Sequence, residues 1–219
     1  MSLIKYDNIK IHESQDPLIV LDDSNFILEP IYYNLGLSND PKIYIRKRVA
    51  KKLNKVQGNL KKYKIKIWDG LRLRLVQNNI YQANYDTMKI KFPEWDKEQL
   101  RIYLETYVTS ANVSSRIPSH STGGSVDLTL VYIPTGEELD MGTNFDDFSC
   151  KSAALFYEIN NVDKKIRDNR RILRESMLEE GFTYDDDEWW HFDYGNQIWA
   201  YKRDKSYAFY GEITKTNYA

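Results

Sequence analysis

The stretch SHSTGGSVDLTLVYI, residues 119–133, sets an aspartate at the mouth of an apolar run that reads as a strand built for burial. A buried carboxylate without a partner costs several kcal/mol, so Asp127 demands a cation, a set of donors or a metal ion. Any fold this chain adopts must bring that partner to it. The three histidines are His12, His120 and His191. His120 precedes Asp127 closely, and Gly123 and Gly124 between them let the chain reverse tightly, so both side chains can face one point. His191 stands in DDDEWWHFDY. Two imidazoles and a carboxylate with one open position make a catalytic zinc shell, whose charge would offset the desolvation of Asp127. Taken singly, the three read more simply as a loop histidine, a turn cap and a hydrogen-bonded core histidine. Taken together with a suitably placed acid, they favour chemistry.

That acid is Glu188, three residues before His191. On a straight strand, positions three apart face opposite sides, so the chain must bend around EWW for Glu188 to reach the metal site. Trp189 and Trp190 would then lower the local dielectric and raise the carboxyl pKa toward a value suited to proton shuttling. Asp185, Asp186 and Asp187 read as a solvated acidic loop. For the oxyanion of a hydrolytic reaction, WDGLRLR offers Arg72 or Arg74 just after a strand and its turn; spacing does not choose between them.

The remaining pattern is mixed. Pro41 to about Lys62 reads as an amphipathic helix with Pro at its first position and Val49, Leu53, Val56 and Leu60 on one face. KIKIWDG alternates with period two, as a strand does. Leu73 through Ser110 is helical in part and interrupted at Pro93, with a stripe of Leu100, Tyr103, Leu104 and Tyr107. PTGE is a turn and MGTNFDDF a loop. NVDKKIRDNRRILRESMLEEGF is a helix stopped by Gly181, with Ile166, Leu173 and Met177 on its apolar side. EWWHFDY and IWAYKR read as two strands of a hairpin around GNQ. Without βαβ regularity, repeats or linkers, this is a single α+β domain over residues 1–219.

Composition narrows the function. Hydrophobic residues make up 42% and charged residues 29% of the chain, with formal net charge −1, which argues against disorder and against nucleic acid or anionic membrane as partner. The acid-free segment Lys42–Lys66 is basic enough for a phosphate-binding helix, but reads better as a solvated face. Cys150 is the one cysteine, read as a small buried or half-buried residue. The first residues lack the features of a signal peptide and no apolar run approaches a membrane span, so a cytoplasmic protein is expected. The aromatic segment YAFYGEITKTNY offers a surface for a neighbouring molecule.

The elements SHSTGGSVDLTL, MGTNFD, NRRILRESM and EWWHF, with WDGLR upstream, resemble the VanX-type D-alanyl-D-alanine dipeptidases, zinc peptidases of the superfamily that includes VanY-type carboxypeptidases. The likeness spans about residues 65–192. It implies a mixed fold with a central, mostly antiparallel sheet carrying one Zn²⁺, held by His120, Asp127 and His191. It further implies Glu188 as general base and then acid, Arg72 as the oxyanion's partner, and Asp146 as holder of the free ammonium of a small dipeptide. Two positions depart from the pattern. Pro118 replaces a serine that helps bind substrate, and Val20 stands where a tyrosine lies near the substrate amine. Both remove hydroxyls, which puts strict D-Ala-D-Ala preference in question. A carboxypeptidase or endopeptidase acting on peptidoglycan peptides and a non-catalytic zinc-containing binding module are the alternatives.

Overall fold

The computed structural model describes residues 6–104, 117–147 and 149–214. In chain order the elements begin with β1 (Lys10–Ile11), β2 (Leu18–Val20), β3 (Ile27–Leu28), α1 (Ile31–Asn34), β4 (Tyr44–Arg46), α2 (Lys47–Asn59) and β5 (Tyr63–Asp69). The helices α3 (Arg74–Lys91) and α4 (Lys97–Leu104) follow, then a 3₁₀ turn (Ser119–Thr122), β6 (Ser125–Tyr132) and β7 (Glu137–Glu138). A second 3₁₀ turn (Cys150–Ser152) leads to α5 (Phe156–Asn160), α6 (Lys164–Glu179), β8 (Thr183–Tyr184), β9 (His191–Asp193), α7 (Gln197–Lys202) and β10 (Tyr207–Ala208).

The main sheet runs β3-β5-β6-β9-β8, with β7 beside the far end of β6. Only its β3–β5 pair is parallel, so the expected α+β architecture with a mostly antiparallel sheet holds. The period of two divides the sheet's labour. Ile65 and Ile67 of β5 pair with Leu130 and Leu128 of β6, and Val126 pairs with Phe192 of β9. These residues are solvent-free and pack with Val49, Leu53 and Val56 of α2 and Leu173 and Met177 of α6. Their alternates, Asp127 and Thr129 among them, turn to the opposite face.

Several local expectations hold. Helix α3 ends at Lys91 before Pro93 and α4 resumes after it, burying Leu100 and Leu104. Tyr107 lies outside the described residues. Gly181 stops α6 at φ +87°, donating to the Leu178 carbonyl while Phe182 N–H donates to Met177. The lysines at 47, 51 and 55 form a solvated face of α2.

Three expectations fail. The helix starts at Lys47, not Pro41, because Tyr44–Arg46 pair antiparallel with Leu18–Val20 and so commit their backbone to a strand. IWAYKR is helical: Asn196 accepts the Trp199 N–H through its side chain (2.9 Å) and caps α7, so no hairpin forms around GNQ. Cys150 is exposed rather than buried. In the C-terminal aromatic segment Ala208 and Tyr210 are solvent-free and β10 pairs with β1, while Tyr207 is exposed and residues 215–219 lie outside the described residues.

Candidate metal centre

One row across the sheet builds the site. Asp127 of β6 faces Asp69 of β5 on one side and His191 of β9 on the other. Two carboxylates directly opposite repel unless a cation lies between them. Arg72 supplies it, donating from Nε to Asp69 Oδ2 (2.8 Å) and from Nη2 to Asp127 Oδ2 (3.1 Å). A register shift between Ile67 and Asp69 inserts Trp68 and aims Asp69 at the site.

His120 arrives from the 3₁₀ turn before β6. Gly123, at φ +68°, ends that turn. Gly70 is required on steric grounds, since a Cβ there would lie 2.5 Å from the Tyr44 carbonyl oxygen. The freed space lets the Gly70 carbonyl accept the His120 Nδ1–H at 2.7 Å. A carbonyl can only accept, so Nδ1 carries a proton, and in the neutral tautomer this selects Nε2 is the bare nitrogen. His191 mirrors this arrangement: Nε2–H donates to Asp193 Oδ1 (3.1 Å), so that in the neutral ring, the form that can bind a metal, Nδ1 is bare. Asp193 is solvent-free and is itself held by Ser125 Oγ (2.6 Å) and Asn196 Nδ2 (2.6 Å).

The bare atoms face each other. His120 Nε2 and His191 Nδ1 are 3.0 Å apart, and Asp127 oxygens lie 3.2 Å and 3.0 Å from them. Two lone pairs at that distance repel, while a tetrahedral zinc with ligands at about 2.0–2.1 Å has edges of about 3.3 Å. The donor set therefore fits a divalent ion of that kind, with each imidazole backed by an oxygen that fixes its tautomer. A proton is the competing occupant. Burial opposes the His191 imidazolium, but Asp193 and Asp127 outweigh burial and hold it well above its ordinary value. Burial likewise works against ionised Asp127, and His120 and His191 overcome it, keeping the carboxyl well below the usual range.

Around this trio stand the other predicted residues. The turn at Trp189–Trp190 supplies the bend that Glu188 needs, placing Glu188 Oε2 4.0 Å from His191 Nδ1. Burial raises Glu188 well above the ordinary carboxyl value even though 26% of its side chain meets solvent. The arginine ambiguity resolves: Arg72 is in the site, whereas Arg74 pairs with Glu212 (2.5 Å). Asp146, at φ +56°, accepts from Tyr32 Oη at 2.9 Å, and burial lifts its pKa to about 6. His12 is remote from this chemistry and stacks on Tyr207.

Tyr32, Asp69, Gln77 and Asp193 were not anticipated. Tyr32 accepts from Arg72 Nη2 (3.1 Å) and Gln77 from Nη1 (3.1 Å), so the guanidinium is held on several sides. Asp193 was within reach of sequence reasoning, since a residue two beyond His191 shares its strand face. Tyr32 carried no local signal, for its neighbour Tyr33 differs only in direction. Of the two departures, Pro118 is buried and precedes the turn that holds His120, and Val20 is 44% exposed on β2.

A family model described as D-ala-D-ala dipeptidase matches residues 37–210. The chain belongs to the D-Ala-D-Ala dipeptidase family. That span includes Arg72, His120, Asp127, Asp146, Glu188 and His191, but not Tyr32. The D-alanyl-D-alanine dipeptidase of Enterococcus faecium is 32% identical over 148 residues, 65% of this chain and 66% of that one. Those of Synechocystis and Enterococcus faecalis are 32% and 30% identical over 44% and 59% of this chain, and 44% and 61% of theirs. The chain thus spans about half to two thirds of the length of these dipeptidases. Among solved structures, VanYB in complex with D-alanine-D-alanine shares the fold, with TM-score 0.50 and 16% identity over 89% of this chain and 88% of that one. No helix among the described residues is long and apolar enough to cross a membrane.

Proposed function

We propose that this chain is a zinc-dependent dipeptidase that hydrolyses D-Ala-D-Ala or a similar free dipeptide, with one Zn²⁺ held by His120 Nε2, Asp127 and His191 Nδ1. The observation that carries the reading is the convergence of these ligand atoms, within 4.8 Å of one another, with Arg72 touching Asp127. Zinc in this set supplies Lewis acidity, polarising a carbonyl and acidifying water. Glu188, made more basic by burial, takes a proton from the attacking water. It returns that proton to the amine nitrogen as the carbon–nitrogen bond breaks. Arg72, fixed by Asp69, Gln77 and Tyr32, meets the negative charge that develops on the carbonyl oxygen. Asp146 is the carboxylate for the substrate's free ammonium, which favours a dipeptidase over an enzyme trimming longer peptidoglycan peptides. A tyrosine hydroxyl, that of Tyr32, does stand on Asp146, so the loss at Val20 is made good there, while Pro118 offers no hydroxyl and discrimination among small side chains is expected to loosen on that account.

The test is a panel of D,D, L,D and D,L dipeptides, free and N-acetylated, offered to zinc-loaded protein. Cleavage of a free D,D-dipeptide with refusal of its acetylated form supports the reading. A protein that cleaves no free dipeptide overturns it, and one that prefers blocked peptides is a carboxypeptidase instead.

A further inference from the structure

Arg170 of α6 is 3% exposed, and its guanidinium is spent on main-chain oxygens. Nε donates to Met141 (2.7 Å), Nη1 to Ala153 (2.9 Å) and Nη2 to Lys151 (2.9 Å). Its neighbour Asn169 donates from Nδ2 to the Asp140 carbonyl (2.8 Å). The helix therefore grips both ends of the segment that carries Asp146. The planar fork of an arginine can serve carbonyls in several directions at once, which a lysine's single ammonium cannot do. The rings of Tyr157 and Trp189 lie 4.7 Å and 5.6 Å from the guanidinium carbon and close the cage.

The grip matters because of the backbone between its ends. Asp146 occupies the left-handed region, uncommon for a residue with a side chain although aspartate tolerates it better than most, so its direction depends on how the flanking backbone is held. Local Asx turns, Gly142 N–H to Asp140 Oδ1 and Ser149 N–H to Asp147 Oδ1 (both 2.8 Å), shape the segment from within, and Trp189 ties its middle to the body, donating from Nε1 to Thr143 Oγ1 (2.8 Å) and from its N–H to the Ser152 carbonyl (3.0 Å). The anchor at its ends is α6.

We propose that Arg170 is a positioning residue for substrate recognition, holding Met141 on one side and Lys151 and Ala153 on the other so that the Asp146 carboxylate is preset beside Tyr32 for a dipeptide's ammonium group. This rests on the dipeptidase reading above. Arg170 touches neither the metal ligands nor Arg72, and its hydrogen bonds all go to the backbone on either side of Asp146, so ammonium binding is where its loss is expected to act most.

The test uses the zinc-loaded full chain with Arg170→Lys, and with Asn169→Ala as a gentler variant should the first fail to fold. Arg170→Lys raises KM for the free dipeptide about tenfold with kcat within about twofold, and Asn169→Ala raises it about threefold. In an Asp146→Asn background the added effect of Arg170→Lys shrinks below about twofold, because the two residues act through one interaction. An unchanged KM, or the same rise in both backgrounds, overturns the proposal, since a merely structural role would be additive. If the unaltered protein cleaves no dipeptide, the dipeptidase reading fails by itself and hydrogen exchange decides Arg170. Faster exchange at the Gly142 and Ser149 amides in either variant supports the grip, and unchanged exchange removes it.

Discussion

At the scale of single residues, burial tunes two carboxyls upward, Glu188 and Asp146, and the proposed function gives each a role that can be tested apart. Glu188→Ala is expected to leave zinc content unchanged while turnover falls by about a hundred- to ten-thousand-fold, measured by metal analysis beside steady-state kinetics. Turnover at the original rate would remove Glu188 from the chemistry. Asp146 holds its proton until about pH 6, against an ordinary value of 3.8. Because only the ionised form attracts an ammonium, kcat/KM for a free dipeptide should drop as pH falls through about 6. The same shift has a stability consequence of opposite usefulness. The folded state binds this proton more tightly than the unfolded chain, so nothing is lost below pH 3.8, and stability declines as pH rises toward about 6. Asp146→Asn should then raise stability by about 2 kcal/mol at neutral pH, allowing for partial exposure, and hardly at all near pH 3. Melting curves at both pH values check it.

At the scale of elements, the site depends on how helix and strand ends are finished. Asn196 caps α7 through Oδ1 and, through Nδ2, holds Asp193 and Ser125. One side chain thereby ties a helix terminus to the carboxylate behind His191. Asn196→Ala should cost about 1 kcal/mol from the cap and weaken zinc affinity about tenfold or more by loosening that carboxylate. Chelator competition reads the second effect separately, and unchanged affinity would show that Asp193 needs no such support. The same residue explains why IWAYKR is a helix although its aromatics and β-branched Ile198 suit a strand. A strand there would leave the Trp199 N–H, now capped, without its partner.

At the scale of the molecule, the ligands come from the turn before β6, from β6 and from β9, so a metal would bind only the folded state. Zinc at a hundred times its Kd is expected to stabilise the fold by about 2.7 kcal/mol. For a chain of this length that raises Tm by about 5–10 °C, reversed by a chelator and absent in His120→Ala. A Tm indifferent to zinc would sink the metal reading. The sequence by itself determined much: the burial of Ile65, Ile67, Leu128 and Leu130 on one sheet face, the helices at α3, α4 and α6, and the two histidines and aspartate as one group. These follow from local periodicity and from the desolvation cost of a carboxylate, both of which are readable without coordinates. Only the tertiary structure decided that Arg72 rather than Arg74 enters the site, that Asp69 sits opposite Asp127, and that Tyr32 joins Arg72 to Asp146. Each is a matter of strand register, of a shift at Trp68, or of where a side chain points from a short helix. Those depend on which distant segments pack together, and no local pattern encodes that.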